Sequence, residues 1–111
     1  MATALREAGF EIHLYREYLA DNVDDVTWMR FAASRGWIAI TRDKAIRRSP
    51  LEIHALRAAG LGAFFVSSGQ ITGDEIRDRL LKFLPAMVTY SRGTNRPFLA
   101  TLTSKGIVAL V

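Results

Sequence analysis

Trp37-Ile38-Ala39-Ile40-Thr41-Arg42-Asp43-Lys44 is the stretch on which the fold turns. From Trp37 to Thr41 the chain is continuously apolar over a strand's length, without the polar alternation of a half-exposed strand. Such a run suits a strand covered on both faces, the kind found in parallel sheets beneath helices, and its expected place is central. The run stops at Arg42 and Asp43 follows directly. The Asp43 carboxylate is therefore expected at the rim of the sheet, beyond the carboxyl end of a strand, where open α/β sheets bind ligands. A hard cation held by oxygen donors would suit that position, and Thr41 is close enough in sequence to support it. Spacing alone reads Asp43 equally well as the first residue of a turn.

Upstream, Trp28, Phe31 and Ala32 form the apolar stripe of a helix that Gly36 stops, and a polar stretch containing Asp21, Asn22, Asp24 and Asp25 leads into it. A helix entrance favours a carboxylate as a cap, so capping alone is enough to explain Asp25. Phe10 to Tyr15 alternates, with Phe10, Ile12 and Leu14 on one face, and predicts a half-buried strand. Met1, Ala4, Leu5 and Ala8 recur at helical spacing ahead of Gly9 and predict a helix before it.

Downstream of a polar loop from Arg42 to Arg48, Ser49-Pro50-Leu51-Glu52 reads as an N-cap, a first-turn proline and a capping-box glutamate. The helix they open is expected to end near Gly60, with an apolar strand from Leu61 to Val66 after it. Thr72-Gly73-Asp74-Glu75 offers a second capping box, and Ile76, Leu80, Phe83, Leu84 and Met87 define a long amphipathic helix that Pro85 is expected to kink or shorten. Phe98 to Leu102 and Ile107 to Val111, separated by Thr103-Ser104-Lys105-Gly106, predict a closing hairpin. Alternating strands and helices imply an α/β fold over 1–111 as one domain, with a mostly parallel sheet, helices on both faces and a C-terminal antiparallel hairpin. At the expected carboxyl ends of the strands lie Arg16 and Glu17, then Arg42, Asp43 and Lys44, then Ser67 and Ser68. Only the second group combines an acid with several bases.

Composition narrows the function. The 111 residues contain no cysteine, which excludes disulfide frameworks and thiolate metal sites and makes a reducing compartment, the cytoplasm, the expectation. No apolar run approaches the roughly 20 residues of a membrane-spanning helix, and the first residues lack the hydrophobic stretch of a signal peptide. Fifteen Lys and Arg against eleven Asp and Glu give a net charge of +4 and an isoelectric point near 10.0, favouring polyanionic partners. Arg42, Lys44, Arg47 and Arg48 crowd around Asp43 and could hold nucleic-acid phosphates there, although an ordinary solvated loop would look the same. Glu52 is explained by Ser49 as a cap more readily than as a catalytic acid. His13 and His54 lack partners at metal-ligand spacing and read as packing or surface residues. Trp28 and Trp37 read as core aromatics beside the site, with base stacking the alternative if either ring is exposed.

Asp25-x-x-Trp28, Arg35-Gly-Trp37-Ile-Ala-Ile-Thr-Arg-Asp43-Lys44-x-Ile46-Arg47-Arg48 and Pro50-x-Glu52, followed by an apolar strand near Phe64, resemble the PIN-like domains of the VapC toxin type. The resemblance runs from about residue 1 to 70 and is clearest from 25 to 66. It implies a PIN-like three-layer α/β/α fold and, in active members, a Mg²⁺- or Mn²⁺-dependent ribonuclease that a protein antitoxin neutralises. By resemblance Asp25 and Asp43 are the metal-binding, catalytic acids, and Arg42, Lys44, Arg47 and Arg48, because they crowd around that presumed metal site, are expected to position the RNA. RNA, an antitoxin and a second copy of the chain are the expected partners. The family pattern opens with a strand bearing an aspartate, ahead of the helix that here starts at Met1. Without that central strand the sheet is expected to show an unpaired edge and a gap. The alternative reading is a degenerate module that binds RNA or protein without cutting.

Overall fold

The structure, a computed structural model, describes residues 7, 9, 12–20, 23–42, 45–67 and 72–110, leaving out the side chains of 16, 45 and 47. The helix expected from Met1 to Ala8 falls almost wholly outside these residues, as does Phe10.

Among the described residues nine elements follow in order: α1 (Tyr15–Tyr18), α2 (Asp25–Ser34), β1 (Ile38–Thr41), α3 (Ala45–Arg48), α4 (Pro50–Ala59), β2 (Gly62–Val66), α5 (Gly73–Gly93), β3 (Phe98–Thr103) and β4 (Gly106–Ala109). The sheet order is β1-β2-β3-β4. Parallel pairing sets Ile38 opposite Gly62 and Gly62 opposite Phe98, and β4 returns antiparallel with Thr101 opposite Val108. This is the mostly parallel sheet with a terminal hairpin that the alternation of elements predicts.

Period-two alternation divides the core between the two faces of the sheet. Phe64, Val66, Phe98, Ala100 and Leu102 pack with Ile76, Leu80, Leu84 and Met87 of α5. Ala63, Phe65 and Leu99 pack on the other face with Met29 of α2, Ile46 of α3 and Leu56 of α4. Each fully buried large side chain contributes roughly 1.5–3 kcal/mol of transfer free energy, which explains why β2, buried at every residue, anchors the molecule. On the α5 face Phe64, Tyr90 and Phe98 meet edge to face with ring centroids 5.4–5.7 Å apart. Gly62 makes room for this cluster, because a Cβ there would stand 2.4 Å from the Phe98 ring.

Several local expectations change. Ile12–Leu14 is irregular and Tyr15–Tyr18 turns into a short helix, so the strand expected from Phe10 to Tyr15 does not form over its described residues. Glu17 accordingly serves that helix, accepting the Leu14 amide at 3.0 Å. An alternating pattern makes a strand only where a neighbour supplies its ladder, and among the described residues no strand lies beside these. For the same reason the apolar run at Trp37 is not central: β1 pairs with β2 alone and ends the described sheet. The polar loop after β1 winds into α3 before α4 begins. Pro85 does not end α5, which continues for 21 residues, because Leu84 and Met87 are buried on either side of an exposed proline. Thr72 caps that helix as expected, accepting the Glu75 amide at 3.2 Å. Among the described residues no helix is long and apolar enough to cross a membrane.

A candidate metal centre at the carboxyl end of the sheet

The position of the site follows from connectivity. Trp37 donates its amide to Ala32 at 3.0 Å, so the end of α2 abuts the start of β1 and the helix runs back to place its own start near Thr41. Leu61 likewise bonds to Leu56 at 3.2 Å, so α4 runs back along β2. Since β1 and β2 are parallel, α2 and α4 both bring their N-termini to the carboxyl end of the sheet. Partial positive charge at a helix start favours carboxylates at both places.

Asp25 is the first residue of α2, but Asp24 caps it: the Asp24 carboxylate accepts the Thr27 amide at 2.8 Å. Hydrogen bonds from Thr27 hold the Asp24 carboxyl below its ordinary range. The cap explanation of Asp25 therefore fails, and its carboxylate is engaged elsewhere. It accepts the indole N–H of Trp28 at 2.9 Å and is hydrogen-bonded to the carboxyl group of Glu52. The Glu52 contact is the larger cause of a lowered Asp25 pKa, Trp28 adds to it, and burial and the neighbouring Asp24 act in the opposite direction.

Glu52 is the residue that sequence reasoning set aside. Ser49 occupies the N-cap position of α4 with Pro50 behind it, yet makes no side-chain cap hydrogen bond. The Ser49 half of the capping box that explained Glu52 is thus not made. The available signal was its place in Pro50-x-Glu52 beside Asp25 in the family pattern. Both acids, with Thr41 and Ile46, line one cleft of about 990 Å³.

That cleft is also lined by Ile12–Leu14, by Ile38–Thr41 of β1 and by Leu80, Leu84 and Met87 of α5. Arg92 and Arg96 line it too, and Arg96 donates to the Gly36 carbonyl at 3.1 Å, just ahead of β1. The cleft thus extends from the acids at the end of β1 to two arginines at its start. Trp37 stands at that basic end, stacked on His13 with centroids 4.0 Å apart and flanked by Tyr18 and Phe31, away from the acids. Trp28, by contrast, orients Asp25. His54 is exposed on α4.

The other expected site residues divide. Arg42 and Arg48 are exposed on the two sides of the short segment after β1. Asp43, Lys44 and the side chain of Arg47 lie outside the described residues. No group of three or more His, Asp or Glu residues gathers at metal-binding distance among the described residues. The pair that does gather is suited to a hard cation: carboxylate oxygens are the donors Mg²⁺ takes, commonly one or two of them with water and substrate phosphate.

A mostly parallel four-stranded sheet with helices packed on both faces is consistent with a PIN-like α/β fold. The chain belongs to the PIN-like domain family, whose model matches residues 1–68. Over 111 aligned residues it is 30% identical to VapC45 of Mycobacterium tuberculosis, a protein whose name marks it as a candidate ribonuclease, and the match covers 96% of this chain and 80% of that one. No solved structure matches.

Proposed function

We propose that this protein is a divalent-metal-dependent endoribonuclease of PIN-like type, acting in the cytoplasm as the toxin of a type II toxin–antitoxin pair. The observation that carries the proposal is the meeting of Asp25 and Glu52 at the carboxyl end of the sheet, in a chain of the PIN-like family related to VapC45. Bound Mg²⁺ or Mn²⁺ would supply Lewis-acid polarisation of the scissile phosphate and a more acidic bound water.

The protein's own part is positioning. Trp28 fixes one oxygen of Asp25, which holds that carboxylate at the mouth of the cleft, where a cation could reach it. Asp43 is proposed as its companion acid from the sequence pattern, one residue past Arg42. Arg42 and Arg48, with Lys44 and Arg47, would hold RNA phosphates beside the acids, giving binding that weakens steeply with salt.

Asp25→Asn and Asp43→Asn test the assignment. Each is expected to reduce Mg²⁺- or Mn²⁺-dependent RNA cleavage by the purified protein by about 100-fold or more, the scale of losing several kcal/mol of metal-assisted stabilisation. Undiminished cleavage by either variant removes that residue from the site. The cleft along β1 favours a second reading, a module that binds RNA or a protein partner without cutting. Salt-sensitive RNA binding with no turnover at any Mg²⁺ or Mn²⁺ concentration would select it.

A further inference from the structure

We infer that Arg35, Arg92 and Arg96 form a second phosphate-binding site for an RNA strand at the amino end of the sheet, the end opposite the acids. The inference rests on the reading of the protein as one that acts on RNA, and adds to it a contact several nucleotides away from the scissile bond.

The first observation is a surplus of charge. α2 ends beside the start of β1, and α5 leads into β3, which begins parallel to β2 at Phe98, so both helices finish at this end. A helix C-terminus carries roughly half a negative charge, and two of them together about −1. Arg35, the C-cap of α2, and Arg92, in the last turn of α5, are more than enough to offset that. Arg96 lies beyond both helices, and with it a surplus of about two positive charges remains. Among the described residues none of the three arginines forms an ion pair, and the acids that line the cleft, Asp25 and Glu52, stand at its other end.

The second is how the guanidinium groups are held. Arg96 gives one N–H to the Gly36 carbonyl at 3.1 Å, and an arginine has five to give. The Arg35 guanidinium lies over Phe31, 5.0 Å from the ring centroid, and 5.7 Å from that of Trp37. Such stacking fixes the plane of the fork and leaves its edge for a partner. All three side chains are exposed, and Arg92 and Arg96 face the cleft. A fixed, planar fork is suited to the oxygens of a phosphate.

The third is the aromatic neighbour. Tyr18, 44% exposed, stands against Trp37 with ring centroids 5.1 Å apart. Phosphate-binding cations beside a ring that can take a base are the combination by which single strands are held without sequence preference. An acidic peptide would satisfy the arginines but has no base to stack, so the pairing of charge with an exposed ring favours nucleic acid. Trp37 and Thr41 are four residues apart along an extended chain, about 13 Å, which is the length of about four stacked nucleotides. An RNA cut at the acids therefore reaches the arginines only if it continues for several nucleotides.

Binding of a fluorescent oligouridylate of about 12 nucleotides to the full chain, in EDTA so that no cleavage intervenes, tests the inference by anisotropy over a salt series. Arg92→Gln should weaken binding about threefold or more, and Arg92→Gln with Arg96→Gln tenfold or more. The salt slope should fall by about 0.7 for each arginine removed, and Arg92→Lys should restore most of it. Arg96 also holds Gly36, so Arg92→Gln, which removes no hydrogen bond among the described residues, guards against a folding defect and should melt like the wild type. Wild-type affinity and salt slope in the double variant overturn the inference, as does a wild type that binds no oligouridylate. Oligoglutamate that binds the wild type more tightly than the RNA and loses affinity in the double variant assigns the site to an acidic protein segment and overturns it too. Cleavage with Mn²⁺ is measured separately: RNA binding through these arginines without turnover keeps the inference and removes the nuclease reading, and turnover unchanged in the double variant alongside unchanged binding does the reverse.

Discussion

β1 and β2 are written in similar residues and have different fates. Gly62-Ala-Phe-Phe-Val66 lies between two neighbouring strands and under helices on both faces, with every residue buried. Among the described strands Ile38-Ala-Ile-Thr41 has a neighbour on one side only, and Ile40, which an interior strand would cover, is 40% exposed. The contrast shows that apolar character makes a segment eligible for the core, while its neighbours decide how far it is buried. It also separates two tasks: β2 and β3 carry the stability, and the margin of β1 borders the cleft into which Asp25 and Glu52 project.

The sharpest way to break this comparison is to remove bulk from each strand. Phe65, 2% exposed, is expected to cost about 3–5 kcal/mol on replacement by Ala. Ile40→Ala should cost less than about 1 kcal/mol, since much of its side chain already meets water. Denaturant unfolding measures both, and equal losses would mean that β1 is as firmly covered as β2. Gly62→Ala comes next, at about 1–3 kcal/mol, because the new methyl would press into the Phe98 ring. A change of about 1 kcal/mol in the favourable direction is expected for Thr101→Val, whose buried hydroxyl finds no hydrogen-bond partner among the described residues.

Smaller effects sharpen the same contrast. Amide exchange should be faster along Ile38–Thr41 than along Ala63–Val66, because opening a marginal strand disturbs fewer buried contacts; equal protection would contradict it. Last in size is the cap of α2. The Asp24 carboxyl is held below its usual value of 3.8, so the stability it lends is present above that pH and is lost as pH falls through the lowered value. Asp24→Ala should therefore lower the melting temperature at pH 7 and show a smaller deficit near pH 2. A deficit independent of pH would show that the cap does not act through its charge.

Much of the fold was legible because its signals are local. Ser49, Pro50 and Thr72 mark helix starts, Gly36 marks a helix end, and the Thr103–Gly106 turn separates β3 from β4, all through backbone chemistry confined to a few residues. Ile12 to Tyr15, the described part of the expected first strand, misled because alternation specifies a face without specifying a partner. Pro85 did not shorten its helix: burial of Leu84 and Met87 on either side outweighed the local disruption it introduces. At the site, the pattern singled out Asp25, and the structure draws it into the cleft. Glu52 was read as a cap because Ser-x-x-Glu is sufficient for one, and sequence spacing cannot show that the Ser49 hydroxyl makes no cap bond.

The order of elements, the parallel sheet and the acid at the mouth of α2 were written in the chain itself, since periodicity and capping act over the few residues that carry them. Which carboxyl group faces Asp25, and which apolar run is left at the margin, depended on the packing of α2 against α4 and of strand against strand. Those contacts join residues far apart in sequence, so no local pattern could encode them.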